Sequence, residues 1–166
     1  MIDKKTVAIV PGSFDPITYG HVDIVKRAAE RYDIVYLAVM INPQKQYMFT
    51  LEQRRIIAEK AVSEIKNVSV IVSEGMLWKL AQDLHADAIV KGYRNDIDYE
   101  YEMNMAKFNR EHYPLAETVL LKANDKLMQM SSTLLREKIN NNESFEDCLP
   151  SNAADEVKRI LFNIQQ

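Results

Sequence analysis

The chain has 166 residues, of which 47% are hydrophobic and 27% are charged, with four glycines and five prolines. This composition is typical of a globular protein and excludes a fibrous or largely disordered chain, while the length predicts one domain over residues 1–166. The formal net charge of −3 argues against a protein whose main partner is the nucleic-acid backbone.

Short apolar runs rich in β-branched residues predict five buried strands, at residues 6–10, 34–41, 68–72, 88–90 and 118–121. Helices are predicted between them over 20–31 and 51–65, then over 99–108 and 153–164, and Thr50 with Gln53 forms a capping-box pattern. The alternation predicts an α/β fold, with a Rossmann-like, doubly wound, mostly parallel five-stranded sheet and helices on both faces. Ligands bind such sheets where the strand order reverses, so we expect a site after the first and fourth strands.

The segment between the first predicted strand and the next helix, residues 11–21, reads Pro-Gly-Ser-Phe-Asp-Pro-Ile-Thr-Tyr-Gly-His. Gly12 would let the backbone pass close to a ligand, and Ser13 and Thr18 offer hydroxyls near a helix start, whose unpaired N–H groups favour anions. His21 would lie in the first turn of that helix. The alternative is that these residues only form turns and cap a helix. The whole pattern favours a nucleotide site.

Two motifs in this order resemble the nucleotidylyltransferase branch of the class I aminoacyl-tRNA synthetase-like superfamily. Residues 18–21 are similar to its T/H-x-G-H motif, and residues 130–136, Met-Ser-Ser-Thr-Leu-Leu-Arg, to its serine-rich signature at the start of a late helix. Ser131, Ser132 and Thr133 would direct hydroxyls and helix N–H groups at the triphosphate. Serines at a helix start are usually only caps, and it is the pairing with the first motif that favours phosphate binding.

Within this superfamily, nearly the whole chain resembles the phosphopantetheine adenylyltransferase family. Residues 43–45 and 48–54 are similar to the loop and helix after its second strand, and Lys45 matches its phosphate-binding lysine. Residues 91–94 and 98–103 are similar to its R-G-x-R segment and its F-E-Y-E-M run. Lys91 stands where the family usually has arginine, which keeps the charge but loses a two-pronged grip on phosphate. Val10 and Leu127 also depart from the usual aromatic residue and tryptophan.

The resemblance implies transfer of the adenylyl group of ATP to 4′-phosphopantetheine, which gives dephospho-coenzyme A and pyrophosphate by direct in-line attack on the α-phosphorus. His21 would stabilise the transition state, Ser13, Lys45 and Lys91 would hold the acceptor phosphate, and Arg94 with the 131–133 turn would hold the departing pyrophosphate. Leu77 would contact the pantetheine arm. The ATP contacts implied are Ser13, Phe14, His21, Gly92, Tyr93, Arg94, Glu102, Leu127, Met128, Gln129, Met130, Ser131, Ser132 and Thr133.

The same resemblance implies Mg²⁺ that arrives with ATP, no metal ligands from protein side chains, and a homohexamer. Cys148 is the only cysteine, so an internal disulfide is impossible, and with no apolar run of about 18 residues we expect a cytoplasmic protein without a membrane span. His85 and His112 lack metal-ligand spacing. Trp78 and the tyrosines of 93–101 are expected to serve packing or subunit contact rather than RNA binding.

Three alternatives remain at this point. Another nucleotidylyltransferase would act on nicotinamide mononucleotide or a polyol phosphate, although both kinds usually have histidine at the position of Thr18. A non-catalytic ATP-binding module would share the fold. A fragment of a tRNA synthetase is disfavoured by the lack of a basic surface and of room for an anticodon-binding domain.

Overall fold

Strands and helices alternate along the chain as the apolar pattern predicts. The computed structural model describes residues 2–164, so residues 1, 165 and 166 of the predicted domain lie outside the described part. The elements in chain order are β1 Val7–Gly12, α1 Tyr19–Arg31, β2 Ile34–Met40, α2 Leu51–Val62, β3 Val68–Ser73, α3 Leu77–Asp83, β4 Ala88–Tyr93, α4 Asp96–His112, β5 Glu117–Lys122, α5 Ser132–Asn140, a short 3₁₀ helix Glu146–Cys148 and α6 Ser151–Ile164.

The five strands form one parallel sheet in the order β3-β2-β1-β4-β5. The chain moves from β1 outwards to β3, then crosses back to β4 on the other side of β1 and continues to β5. The strand order therefore reverses between β1 and β4, where a crevice opens at the carboxyl ends. The predicted doubly wound fold is confirmed, and the sheet is parallel throughout.

Helices cover both faces of the sheet because successive strand residues point to opposite sides. Ala8 and Val10 belong to the core that packs against α1, α2, α5 and α6, whereas Ile9 belongs to a second core that includes residues of α3. On this second face, Trp78 stacks on His112, with ring centroids 5.0 Å apart, and joins α3 to the end of α4. Packing is thus the role that the structure gives this tryptophan.

Two strands that lead into the crevice are longer than the apolar runs indicate. β1 continues through Pro11 and Gly12, and β4 continues through Lys91, Gly92 and Tyr93. Apolar runs report burial, whereas strand pairing is a property of the backbone: Gly12 lies opposite Val39, and Gly92 lies opposite Leu121. The ends of these strands, and not only the loops after them, therefore contribute to the site.

No helix within residues 2–164 is long and apolar enough to cross a bilayer.

Candidate active site

A cleft of about 670 Å³ opens at the carboxyl ends of β1 and β4. It brings together nearly all the side chains that the sequence selects. The predicted residues that line it are Ser13, Phe14, His21, Lys45, Lys91, Gly92, Tyr93, Arg94, Glu102, Leu127, Met128, Met130, Ser131, Ser132 and Thr133. Two predicted residues are not among those that line the cleft. Gln129 is exposed, and Leu77 begins α3, where it packs against the second core.

The starts of α1 and α5 meet in this cleft. A Cβ atom built on Gly20 would lie 3.4 Å from the carbonyl oxygen of Met130, so the first turn of α1 passes close to the turn before α5. The Ser132 hydroxyl donates to the carbonyl of Pro16 at 2.8 Å. Arg136 Nη1 donates to the carbonyl of Asp15, also at 2.8 Å. Two positive helix ends are therefore tied together around one space, which suits a polyanion.

His21 is the third residue of α1, and its ring is fixed by the residue that caps the helix. The backbone N–H of Thr18 donates to His21 Nδ1 at 3.0 Å. Because a backbone N–H can only donate, Nδ1 accepts and the ring proton resides on Nε2. Burial, together with the smaller effect of the Arg94 charge, lowers the pKa of His21 to about 4. At neutral pH the ring is an uncharged donor through Nε2–H.

Phe14 packs beside His21 and explains the glycine at position 12. The two rings meet edge to face, with centroids 5.1 Å apart, and Phe14 is buried in a left-handed conformation with φ of 47°. A Cβ atom on Gly12 would lie 2.9 Å from Phe14 Cζ. The sequence assigns Gly12 to close approach by a ligand, but the group that this glycine accommodates is the ring of Phe14.

The three predicted cations differ in how they are held. Lys91 Nζ lies 2.6 Å from Glu102 Oε2, with both side chains about one-fifth exposed. Arg94 is more exposed and donates through Nε to Asp98 Oδ2 at 3.1 Å. Lys45 is exposed at the cleft edge. Lys91 and Arg94 thus have carboxylate partners before any ligand binds.

The serine-rich turn caps α5 and still offers donors to the cleft. Ser131 Oγ accepts from the backbone N–H of Leu134 at 3.1 Å, so its role as a cap is real, while its own O–H can still donate. Thr133 Oγ1 accepts from Arg136 Nη2 at 3.3 Å. The N–H groups of Ser132 and Thr133, the first two residues of α5, have no helical carbonyl to bond, and this leaves them for an anion.

The carboxylates that line the cleft already have protein partners, through hydrogen bonds or ion pairs. Asp15 accepts from the backbone N–H groups of Met48 and Phe49 at 2.9 and 3.0 Å, while Asp98 and Glu102 pair with Arg94 and Lys91. Residues 2–164 contain no group of three or more His, Cys, Asp or Glu placed to hold a metal ion. This donor set fits a divalent cation held by the phosphate oxygens of a nucleotide.

Three residues that organise the cleft lie inside the motif segments, but the sequence assigns them no role in the site. Arg136 lies four residues after Ser132, so helical spacing could have placed it on the same face. Asp15 looks like a turn residue, yet it fastens the loop that precedes α2. Arg54 is only 1% exposed, and its Nη1 donates to the carbonyls of Ser13 at 2.7 Å and Met40 at 3.1 Å. No spacing in the sequence indicates this contact between distant segments.

The fold and this cleft define a class of nucleotide-dependent transferases. The model of the cytidylyltransferase-like family matches residues 9–138, a range that begins in β1 and ends within α5. It includes both helix starts that meet in the cleft and the loop that carries Lys45.

Curated relatives narrow the class. A phosphopantetheine adenylyltransferase from Alkaliphilus metalliredigens is 46% identical over 79% of this chain and 83% of its own length. One from Caldanaerobacter subterraneus is 42% identical over 79% and 82%, and one from Lactobacillus acidophilus is 38% identical over 94% and 98%. The chain belongs to the phosphopantetheine adenylyltransferase family.

Proposed function

We propose that this chain transfers the adenylyl group of ATP to 4′-phosphopantetheine and releases pyrophosphate, the step of coenzyme A biosynthesis that forms dephospho-coenzyme A. The observation that carries the proposal is the single cleft in which His21 and the start of α5 face the same space. The names of the curated relatives support the same reaction.

The reaction is a direct displacement. An oxygen of the acceptor's phosphate bonds to the α-phosphorus of ATP as the bond between that phosphorus and the bridging oxygen to the β-phosphate breaks, and pyrophosphate leaves with that electron pair. The acceptor's phosphate monoester has a second pKa of about 6 and is largely a dianion at neutral pH. Its oxygen can therefore attack without a general base to remove a proton. His21 could not act as one, because Nδ1 already accepts a hydrogen bond and Nε2 carries the proton.

The protein's contribution is alignment and positive charge. His21 donates through Nε2–H to the α-phosphate as its charge grows. Lys45 and Lys91, with Ser13, hold the acceptor phosphate, and Arg94 with the start of α5 holds the departing pyrophosphate. Mg²⁺ that arrived with ATP would supply further neutralisation of charge, and phosphate oxygens would be its ligands, since the carboxylates of the cleft already have partners.

The proposal is tested by measuring pyrophosphate release from ATP with each of three acceptors: 4′-phosphopantetheine, nicotinamide mononucleotide and a polyol phosphate. We expect release that depends on 4′-phosphopantetheine. Release with only one of the other acceptors would identify a different nucleotidylyltransferase. Binding of ATP without release under any condition would support the non-catalytic module and refute the enzyme.

We further propose a homohexamer in the cytoplasm. The support within the described residues is a pair of exposed side chains on α4 outside the cleft, Tyr99 and Met103, which lie about one helical turn apart on the same face. Tyr99 is 40% exposed and Met103 is 42% exposed, so a neighbouring subunit could cover both. Light scattering should give a mass six times that of the chain, and a monomeric mass would refute the assembly.

A further inference from the structure

Lys45 depends on its loop for its position. Residues 42–47, here called the Lys45 loop, begin with a turn in which Gln44 N–H donates to Asn42 Oδ1 and Lys45 N–H donates to Asn42 O, both at 3.0 Å. The Lys45 side chain is exposed and forms no ion pair within residues 2–164. Where its ammonium group lies is therefore decided by the backbone of this loop.

Tyr47 closes the Lys45 loop at its other end. Its hydroxyl oxygen accepts the backbone N–H of Asn42 at 2.7 Å, which joins the last residue of the loop to the first. Its ring lies over the guanidinium group of Arg54, with Arg54 Cζ 3.9 Å from the ring centroid. A cation this close to an aromatic face is attracted to it, and more strongly when water is excluded.

Arg54 connects this ring to the ends of two strands. It projects from the first turn of α2, is 1% exposed, and donates to the carbonyls of Ser13 and Met40. Burying a charge is costly unless polar groups compensate it, and here two carbonyls accept from Nη1 and the Tyr47 ring lies over the guanidinium, while Nε has no hydrogen-bond partner within the described residues. The same guanidinium therefore contacts Ser13 directly and the Lys45 loop through Tyr47. Ser13 and Lys45 are two of the residues assigned to the acceptor phosphate.

We infer that the stack of Tyr47 on Arg54 is a positioning device for the acceptor-phosphate site, which keeps Lys45 and Ser13 at a fixed separation. The inference rests on the proposed function for the identity of the acceptor. The start of α5, assigned to pyrophosphate, is held by other contacts, through Ser132 and Arg136. Loss of the stack should release the Lys45 loop while Arg54 still bonds to the Ser13 carbonyl, and this should weaken binding of the acceptor and spare binding of ATP.

Three variants of the loop separate its parts. Tyr47→Leu removes the ring and the hydroxyl, and Tyr47→Phe keeps the ring over Arg54 but loses the bond to Asn42. Gln46→Leu is the matched control, because Gln46 is exposed and makes no side-chain hydrogen bond within the described residues. We expect Tyr47→Leu to raise KM for 4′-phosphopantetheine by about 3- to 30-fold, the range of a cation–π contact. Tyr47→Phe should do less, with KM for ATP nearly constant in all three.

A double-mutant cycle with Lys45→Ala distinguishes positioning from a general effect on stability. If Tyr47 acts through Lys45, then Tyr47→Leu should change acceptor KM little once Lys45 is alanine. An equal rise in both backgrounds would overturn the inference, as would a parallel rise in KM for ATP. If the Arg54→Lys variant folds, it should also raise KM for 4′-phosphopantetheine. If it does not fold, the Tyr47 variants alone decide whether the stack positions Lys45.

Amide hydrogen exchange gives a readout that does not require activity. We expect the amides of Gln44 and Lys45 to exchange faster in Tyr47→Leu than in the wild type and in Gln46→Leu. Unchanged exchange together with unchanged acceptor KM would refute the positioning role. A wild-type protein that shows no acceptor-dependent pyrophosphate release would instead refute the proposed function, and the exchange experiment would still decide whether the stack orders the loop.

Discussion

Neutral hydrogen-bond donors and paired cations characterise the cleft at the scale of single residues. His21 donates without carrying a charge of its own, because the Thr18 N–H occupies Nδ1 and burial disfavours the imidazolium form. Lys91 and Arg94 each lie beside a carboxylate. Two of the three predicted cations are therefore paired, Lys45 being the exception, while the donors of the cleft stay in place for phosphate.

Removal of the His21 ring tests its role at the α-phosphate. We expect His21→Ala to lower kcat by about 10² to 10³, the usual loss for one donor to a charge that develops in the transition state. The fold should persist, which circular dichroism and thermal melting would check. A variant that is folded and turns over at nearly the wild-type rate would contradict the assignment.

The lowered pKa of His21 makes stability depend on pH. The pKa of His21 is about 4 in the folded protein and 6.5 in the unfolded chain. Between these pH values the unfolded chain binds a proton that the folded protein does not bind, so the protein becomes less stable as the pH is lowered. From pH 7 to pH 4.5, the wild type should lose about 2 kcal/mol of unfolding free energy more than His21→Gln, which cannot take up the proton. Urea titrations of both proteins at the two pH values measure this. Equal losses would mean that the imidazole titrates normally.

Lys91→Arg tests whether the departure from the family's usual arginine matters. Lys91 is engaged with Glu102, and an arginine could keep that contact while its planar fork held phosphate with further donors. We expect the Kd of 4′-phosphopantetheine to stay equal or to fall by up to about tenfold, the effect of one good hydrogen bond. Calorimetric titration would give this Kd. A large loss of affinity would show that the site cannot accommodate the guanidinium group of an arginine at position 91.

At the scale of elements, the turn from β1 into α1 is shaped by packing as much as by its motif. The Phe14 ring occupies the space where a side chain at position 12 would lie, and it supports the edge of His21. On the other side of the cleft, α5 is fastened to this turn through Ser132 and Arg136. The geometry of the site therefore depends on contacts between β1, α1 and α5.

Gly12→Ala tests this dependence. The added methyl group would overlap the Phe14 ring at 2.9 Å, so we expect a loss of about 1 to 3 kcal/mol in unfolding free energy, the usual result of overpacking. Gly75→Ala is the control, because a Cβ atom there meets nothing within 4 Å. Chemical denaturation of both variants makes the comparison. Equal stability of the two would show that the ring moves aside freely.

The order of the elements could be predicted from the apolar pattern, but their ends could not. The capping box of Thr50 and Gln53 marked the start of α2, and the structure confirms it with reciprocal hydrogen bonds. By contrast, β4 runs on to Tyr93, because pairing with β5 continues after the apolar run ends. The buried positions of Arg54 and Asp15 arise from tertiary contacts, and no local pattern in the sequence reports those.

At the scale of the whole molecule, the sheet topology brings the distant motifs together. Residues 11–21, the end of β4 and residues 127–136 are far apart in sequence and meet where the strand order reverses between β1 and β4. The alternation of strands and helices predicts this meeting point from the sequence alone. Leu77 lies with the second core in the structure, and its contact with the pantetheine arm stays a prediction.

In the proposed reaction the acceptor's phosphate attacks the α-phosphorus directly, with no nucleophile from the protein. The stereochemical course with ATP that carries a chiral thiophosphate at the α position tests this claim. A single in-line displacement predicts dephospho-coenzyme A with inverted configuration at that phosphorus. Retention would require two displacements through an adenylylated side chain and would contradict the account.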